Sequence, residues 1–219
     1  MGEVFWVRHG QASFGTEDYD RLTKTGTEQA RMLGEYVKAN AIQFDVAVTG
    51  TLKRQLDTLN HMGISYSDQK YIPSLLANEF DFETLMQVYA QYQPCDSNLL
   101  KSSKSEYFRA LRVAFQRWSQ GEFSGHLEPY EDFSQRVTEL RSLVCHSGHQ
   151  KVLVISSGGV IATVLGQLLN VPISNVIELN LQMKNTGISR CFFNRNTMRI
   201  SSFNESPHIG HHQDQYITY

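Results

Sequence analysis

Residues 3–11, EVFWVRHGQ, restrict the possible folds of this chain more than any other segment. Residues 4–7 are β-branched or aromatic, as in a buried strand, and the run ends directly in Arg8, His9 and Gly10. In open α/β sheets ligands bind at the carboxyl ends of strands, because successive loops converge there. Gly10 allows a tight turn and the close approach of a ligand. We therefore expect a cation and an imidazole at the binding edge of a sheet.

Length and charge narrow the class of protein. The chain has 219 residues, of which 41% are hydrophobic, and we expect a single domain over residues 1–219. The formal net charge is -2, the pI is about 6.4, and lysine and arginine form no cluster. A nucleic-acid partner is not expected, because binding a polyanion needs a basic surface. Any bound anion must be held by a few local cations.

Cysteine usage and hydropathy favour the cytoplasm. Cys95, Cys145 and Cys191 have no CxxC spacing, and an odd number of cysteines is a poor disulfide framework. The start of the sequence lacks the charged and apolar regions of a signal peptide, and no apolar run has the length of a transmembrane helix. We therefore expect a cytoplasmic protein with buried thiols and no membrane partner.

Two further strand ends are expected at the same edge as the first. Residues 44–49 (FDVAVT) predict a short strand that leads into a helix with Arg54 in its first turn. Residues 151–155 (KVLVI) predict a buried parallel strand, followed by a turn at 156–159 and an apolar helix at 160–169. The N–H groups and the positive dipole end of such a helix favour an anion.

The remaining patterns predict helices and a closing hairpin. Thr25 and Glu28 have capping-box spacing at the start of a helix that reaches about Asn40. Residues 83–130 carry no strand signal, so we expect a helical insertion there. Residues 187–203 alternate around a turn and predict a hairpin. A weaker pattern predicts a strand or extended segment at 71–76, and the apolar spacing at 131–145 predicts a helix packed on the sheet. The predicted fold is a three-layer α/β/α sandwich with a mostly parallel central sheet and a helical insertion over the carboxyl-end rim.

The side chains expected at this rim suit phosphoryl transfer. A phosphate dianion needs planar bidentate donors, which Arg8 and Arg54 provide. A neutral imidazole at His9 can then attack phosphorus without a metal, because histidine is a competent nucleophile near neutral pH. The departing alkoxide needs a proton, and Glu79 can supply it if burial raises its pKa.

Ordered segments of the chain together match a known family. They are RHGQ at 8–11, LTKTGTEQA at 22–30, TGTLKRQLDT at 49–58, LANEFDFE at 76–83 and SSGGVI at 156–161. With these segments the chain resembles the histidine phosphatase superfamily, the phosphoglycerate-mutase-like proteins. The resemblance implies a mostly parallel sheet with helices on both faces and a variable helical insertion. It also implies a phosphohydrolase that acts on a small phosphomonoester through a phosphohistidine, with no metal or cofactor.

The resemblance also implies roles for individual residues. His9 would be the nucleophile, and Glu79 would be the proton donor. The residues implied to bind the substrate are Arg8, Gln11, Arg54, Ser157 and Gly158.

The chain departs from the family pattern at Ser157, where the pattern has a second histidine before the glycine pair. A hydroxyl still donates a hydrogen bond, but a donor that can carry charge is lost. Hydrogen bonds to charged groups contribute roughly 1.5–3 kcal/mol, which corresponds to roughly ten- to hundredfold in rate. Ser157 would therefore weaken or retune catalysis without abolishing it. Two alternatives to a phosphohydrolase also stay open. One is a phosphomutase of the phosphoglycerate mutase type, although the insertion offers few cations for a second acidic group, and the other is a non-catalytic protein that binds a phosphoryl ligand.

Several of these side chains also have structural interpretations. Asp81 and Glu83 lie close to Glu79 in sequence, so the residues alone do not decide which carboxyl group acts. Ser157 can be a phosphate donor, a helix N-cap or both. Two interpretations are open for four aromatic residues of the middle segment, which either line a pocket or pack the inserted helices: Phe80, Phe82, Tyr89 and Tyr92. The tail histidines, His208, His211 and His212, are expected at the surface and not in a metal site.

Overall fold

A computed structural model of the chain describes residues 1–13, 20–67, 71–92, 104–123 and 125–219. Within these ranges one sheet has the strand order β3-β2-β4-β1-β5-β6. Its strands are β1 (Gly2–Arg8), β2 (Val46–Thr49), β3 (Tyr71–Pro73), β4 (Lys151–Ser156), β5 (Ile188–Phe193) and β6 (Met198–Glu205). Strands β3, β2, β4 and β1 are parallel, whereas β5 pairs antiparallel with both β1 and β6. The predicted mostly parallel sheet is confirmed.

Helices cover both faces of this sheet. They are α1 (Lys24–Ala39), α2 (Lys53–Met62), α3 (Phe82–Gln91), α4 (Lys104–Ser119), α5 (Tyr130–His146), α6 (Gly158–Leu169), α7 (Ile173–Gln182) and the short α8 (Gln213–Tyr216). Helices α1 and α2 pack on one face, and the buried side chains of α3 to α7 join the core on the other. The predicted three-layer architecture is therefore confirmed. Among the described residues, no helix has the length and the apolar character needed to cross a membrane.

Strand β1 contributes to both halves of the core. Val4 and Trp6 face the helices α3 to α7, while Phe5 and Val7 face α1 and α2. These four side chains are at most 5% exposed. A strand buried on both faces needs a continuous apolar run rather than alternation, which is what residues 4–7 provide.

The segment predicted as an insertion packs on the core through aromatic side chains. The ring of Phe80 lies 4.7 Å from that of Trp118, 5.0 Å from that of Phe115 and 5.5 Å from that of Phe133. Phe80 is therefore a packing residue, since its ring is enclosed by other rings. The division of the chain into one domain with an insertion at 83–130 stays a prediction.

Two helix starts differ from those predicted. The hydroxyl of Thr23, not that of Thr25, accepts a hydrogen bond from the N–H of Gly26 at 3.0 Å and caps α1. Glu28 pairs with Arg31 instead of closing a capping box. Helix α6 begins at Gly158 rather than at residue 160, because the predicted glycine turn is already its first turn.

The expectation of a surface position is wrong for His208. Its side chain is only 8% exposed, and its Nε2 lies 2.8 Å from the hydroxyl oxygen of Thr186. That hydroxyl donates to the carbonyl of Asn185, so it accepts from His208, whose Nε2 carries the proton. Burial lowers the pKa of His208 to about 4. His211 and His212 are exposed, as expected.

We predict that His208 makes folding sensitive to acid. Because its pKa is lower in the folded protein than in the unfolded chain, the unfolded chain takes up a proton as the pH falls below about 6.5 and the folded protein does not. The free energy of unfolding should therefore fall with pH until the pH approaches about 4. His208→Gln keeps a donor for Thr186. Between about pH 7 and about pH 4.5 the free energy of unfolding of this variant should fall by about 2–3 kcal/mol less than that of the wild type.

Denaturant unfolding at the two pH values measures this difference. The exposed His211→Gln is the matched control and should behave as the wild type does. Equal acid sensitivity of His208→Gln and the wild type would contradict the assignment.

Candidate active site

The loop after β1 begins at the carboxyl edge of the sheet, as predicted. The N–H of His9 donates to the carbonyl of Ser156 at 2.9 Å, next to the parallel pair Arg8 and Ser156. A Cβ at Gly10 would lie 2.4 Å from the carbonyl oxygen of Gly26. Gly10 is therefore needed because the loop packs directly against the backbone of the first turn of α1.

The imidazole of His9 is buried and held in one tautomer. Its Nδ1 lies 2.7 Å from the carbonyl oxygen of Gly10, and its Nε2 lies 3.2 Å from Nε of Arg54. A carbonyl oxygen only accepts, so Nδ1 carries the proton, and the lone pair of Nε2 accepts from Arg54. Burial, then the charges of Arg54 and Arg8, hold the pKa of His9 well below its usual value. The ring is therefore neutral near pH 7 and presents a nucleophilic nitrogen.

Asp20 fixes Arg54 at the start of α2. Its carboxylate accepts from the Nη1 of Arg54 at 2.8 Å and from the N–H groups of Lys53 and Arg54 at 2.8 and 3.2 Å. One carboxylate thus caps the helix and pairs with the guanidinium group. Arg54 is only 5% exposed, so this pairing directs a nearly buried cation at His9.

Thr58 ties α2 to the loop that carries His9. Its hydroxyl donates to the carbonyl of Arg54 at 2.6 Å and accepts from the N–H of Gly10 at 2.9 Å. One side chain therefore sets the position of the guanidinium-bearing helix relative to the imidazole-bearing loop.

Arg8 contacts the end of α7 and lies close to the start of α6. Its Nη1 donates to the carbonyl of Met183 at the end of α7. A Cβ at Gly158 would lie 3.6 Å from Nε of Arg8 and 2.4 Å from the amide oxygen of Asn180. The absence of a side chain at Gly158 therefore leaves the guanidinium group close to the N-terminus of α6.

Of the candidate carboxyl groups at 79, 81 and 83, Glu79 is the one that lies at the N-terminus of α6. Its Oε2 accepts from the N–H of Gly159 at 2.9 Å, in the first turn of α6. Burial raises its pKa, against the opposing effects of the Gly159 N–H and the charges of Arg54 and Arg8. Asp81 instead caps α3 by accepting from the N–H of Thr84 at 2.9 Å.

Arg136 holds the backbone that leads to Glu79. Arg136 donates to the carbonyls of Asn78 at 2.6 Å and Leu76 at 3.2 Å. Its remaining N–H groups pair with the carboxylate of Glu128 at 2.7 and 2.9 Å. The bidentate ion pair with Glu128 fixes Arg136, which in turn holds the turn before α3 in place.

Ser157 occupies the N-cap position of α6 without capping it. Its side chain makes no bond to the helix N–H groups, and its hydroxyl accepts from Nε2 of Gln55 at 2.9 Å. The residue is fully buried. Of the two interpretations of Ser157, the side-chain cap is wrong.

Gln11 points towards the start of α1. Its amide oxygen accepts from the hydroxyl of Thr23 at 2.7 Å, and its N–H donates to Oε1 of Gln29 at 2.8 Å. Among the described contacts, none joins its side chain to His9. A place for Gln11 in substrate binding stays a prediction.

Asn185 and Thr186 clamp the backbone of the His9 loop. Asn185 donates from Nδ2 to the carbonyl of His9 at 3.1 Å, and the N–H of Thr186 donates to the carbonyl of Arg8 at 3.0 Å. Thr186 has φ of +55°, an unfavourable backbone conformation for a β-branched residue. Such strain persists only where the surroundings impose it, and here His208 holds the side chain of Thr186.

Sequence patterns miss several residues of the site. These are Asp20, Gln55, Thr58, Asn180 and Asn185, together with all of α7. Gln55 and Thr58 carry the clearest signal, because they are polar residues on the buried face of α2. Asn185 carries none, since KNTG has the composition of an ordinary turn. Within the described ranges, no group of three or more His, Cys, Asp or Glu residues is arranged to hold a metal ion.

Sequence comparisons find one family and partial relatives. The family model of the histidine phosphatase superfamily (branch 1) matches residues 2–206. The 2,3-bisphosphoglycerate-dependent phosphoglycerate mutase of Streptococcus uberis is 36% identical over 80 residues, and that of Lactococcus lactis is 35% identical over 80 residues. Each match spans 33% of this chain and only 34% of the relative.

Solved structures share the fold at low identity. A phosphoglycerate mutase from Bacillus anthracis aligns with a TM-score of 0.67 and 20% identity over 95% of both chains. A phosphoserine phosphatase from Entamoeba histolytica, in complex with 3-phosphoglyceric acid, gives 0.65 and 20% over 95% of this chain and 100% of that chain. An alpha-ribazole phosphatase from Shigella flexneri gives 0.65 and 20% over 93% and 96%.

Proposed function

Because the chain belongs to the histidine phosphatase superfamily, we propose that it hydrolyses small phosphomonoesters through a phosphohistidine at His9. The observation that supports this most is the contact between Nε2 of His9 and Nε of Arg54, in a ring whose Nδ1 is bound to Gly10. The lone pair needed for attack lies beside the guanidinium group needed to hold the phosphate.

In the first step the phosphate dianion binds between Arg8 and Arg54. The phosphate replaces Nε2 of His9 as the acceptor of the Nε–H of Arg54, so the lone pair of His9 becomes available. Nε2 attacks phosphorus, the bond from phosphorus to the ester oxygen breaks, and the departing alkoxide takes the proton of Glu79. The raised pKa of Glu79 supports this role, because the carboxyl group must be protonated before it can donate.

In the second step water hydrolyses the phosphohistidine. The Glu79 carboxylate now takes a proton from water, and the oxygen attacks phosphorus while the P–N bond breaks. Inorganic phosphate leaves and the neutral imidazole is restored. We propose that no metal is required, since the two guanidinium groups supply the positive charge that the dianion needs.

A small phosphorylated metabolite is the proposed substrate class. Proteins of this fold include the phosphoserine phosphatase of E. histolytica and the alpha-ribazole phosphatase of S. flexneri. We infer the class from these proteins and from the cradle of two guanidinium groups, Arg8 and Arg54, whose charge suits one phosphate dianion. A cytoplasmic location is also proposed, in line with free thiols at Cys145 and Cys191.

Two observations favour other functions. The partial matches to phosphoglycerate mutases favour a phosphomutase, in which the phosphoryl group returns to the substrate. Ser157, in place of the second histidine, favours a binding protein without turnover. Phosphorus NMR of the products distinguishes release of inorganic phosphate from isomerisation. A steady-state assay on a panel of phosphomonoesters tests the third function, because a binding protein would turn over none of them.

We predict that phosphate becomes covalently bound to His9 during turnover. Rapid quenching with labelled substrate should trap label that is labile in acid and stable in base, as expected for phosphorus bonded to nitrogen. His9→Ala should carry no label and should lose at least about a thousandfold in kcat. The matched control is His61→Ala, an exposed histidine on α2, which should label as the wild type does. Label retained in His9→Ala would exclude His9 as the nucleophile.

We also predict a pH profile of activity with two limbs, one set by His9 and one by Glu79. Activity needs a neutral His9, so kcat/KM should rise as the pH passes through the lowered pKa of His9. It also needs a protonated Glu79, so activity should fall as the pH passes through the raised pKa of that group. Glu79→Gln should remove the alkaline limb and lower kcat by about 10²–10⁴, least for p-nitrophenyl phosphate, whose leaving group needs no proton.

Glu83→Gln is the matched control for this profile. Glu83 lies four residues further on and is exposed, so the variant should keep both limbs. An alkaline limb that survives unchanged in Glu79→Gln would show that another group donates the proton.

A further inference from the structure

The hydrogen bond between Gln55 and Ser157 has a direction that bears on the reaction. We propose that Gln55 is a positioning residue that turns the hydroxyl proton of Ser157 towards the bound phosphoryl group. The proposal rests on the proposed function, because it assigns a role within the same anion site.

The orientation of the Gln55 amide is fixed from both ends. Its Oε1 accepts from the backbone N–H of Leu52 at 3.3 Å. Its Nε2 donates to the carbonyl of Ala77 at 3.1 Å and to the hydroxyl of Ser157 at 2.9 Å. An N–H group only donates and a carbonyl only accepts, so the opposite orientation of the amide would face two repulsive pairs.

The direction of this bond leaves the hydroxyl hydrogen of Ser157 available to another acceptor. Because Nε2 of Gln55 donates, Oγ of Ser157 uses a lone pair for that contact and keeps its own proton for another acceptor. The side chain does not bond the N–H groups of α6. A phosphoryl oxygen is an acceptor that fits this role.

Ser157 lies beside the groups that would hold the phosphoryl group. The residue before it, Ser156, accepts from the N–H of His9 at 2.9 Å. The residue after it, Gly158, lies against Arg8. Residue 157 thus lies between the residue bonded to the His9 backbone and the residue next to Arg8, and its hydroxyl contacts Gln55, which directly follows Arg54.

The pocket of the Gln55 amide is built for a side chain of this size. Gln55 is fully buried. A Cβ at Gly50 would lie 1.8 Å from its Oε1, so only glycine leaves room for the amide there. The carbonyl of Ala77 that receives Nε2 also accepts from the hydroxyl of Ser156 at 2.7 Å, which fixes its position.

This arrangement gives a neutral donor chain, from amide to hydroxyl to phosphoryl oxygen. Each hydrogen bond polarises the next, so the Ser157 hydroxyl donates more strongly than an isolated serine would. The chain supplies, without a charge, a donor at the position where the family pattern has a second histidine. Its effect should be largest on the trigonal bipyramidal transition state, where charge on the equatorial oxygens is greatest.

Isothermal titration with orthovanadate and with inorganic phosphate tests the proposal on the full chain. Ser157→Ala should weaken orthovanadate binding by about tenfold and phosphate binding by less, because orthovanadate imitates the transition state. Gln55→Met keeps the size of the side chain and should weaken orthovanadate binding by about three- to tenfold through the same hydroxyl. The double variant should bind orthovanadate no more weakly than Ser157→Ala alone, since the two residues act as one unit.

A second variant of Gln55 and a control variant distinguish the loss of this donor from simple misfolding. Gln55→Glu keeps the size and the acceptor for Leu52 but removes the donor, and it should also weaken orthovanadate binding. Gln167→Met removes a glutamine of α6 that bonds Ser134 and Thr138 away from the cradle. This variant should bind orthovanadate as the wild type does.

Additive losses in the double variant, or wild-type orthovanadate affinity in both Gln55 variants, would overturn the role of Gln55. A wild type that binds orthovanadate but hydrolyses no phosphomonoester would contradict the proposed hydrolysis only, and the variant affinities would still decide the role of Gln55. A wild type that binds no orthovanadate would contradict both.

Discussion

The contact between the Arg54 guanidinium group and the unprotonated nitrogen of His9 is the interaction on which the rest of the site depends. A cation lies 3.2 Å from a neutral base, and both residues are buried. Asp20 holds the arginine from one side, and Gly10 holds the protonated ring nitrogen from the other. Burial and the positive charge of Arg54 keep the imidazole neutral, and the same charge attracts the anion that the imidazole is proposed to attack.

Much of the surrounding structure keeps polar groups satisfied inside an apolar fold. Asn185 shows this, because it donates to the carbonyl of His9, and its own Oδ1 accepts from the hydroxyl of Thr218 at 2.9 Å. Gln29, fully buried on α1, donates to that hydroxyl at 2.8 Å and accepts from the loop at Gln11. A buried polar network of this kind stabilises one arrangement only when every member has a partner. We infer that the segment around Thr218 contributes to the rigidity of the loop that carries His9.

Local patterns were enough to predict the sheet and the central residues of the site, because strands β1 and β4 are continuous apolar runs that end in distinctive residues. His9 and Arg54 were expected on one rim since each follows a strand. Contacts between distant segments were not predictable in this way: Gln55 lies 102 residues from Ser157. The surface position expected for His208 was wrong because the composition around it is polar, whereas its burial depends on Thr186, 22 residues earlier.

The tautomer and charge of His9 decide whether this chemistry is possible. Long-range proton–nitrogen NMR of the imidazole ring measures both, with the signal assigned by its loss in His9→Ala. A neutral ring with its proton on Nδ1, unchanged as the pH falls to about 6, is the predicted result. A ring that carries its proton on Nε2, or that is a cation at about pH 6, would contradict the central role of the contact with Arg54.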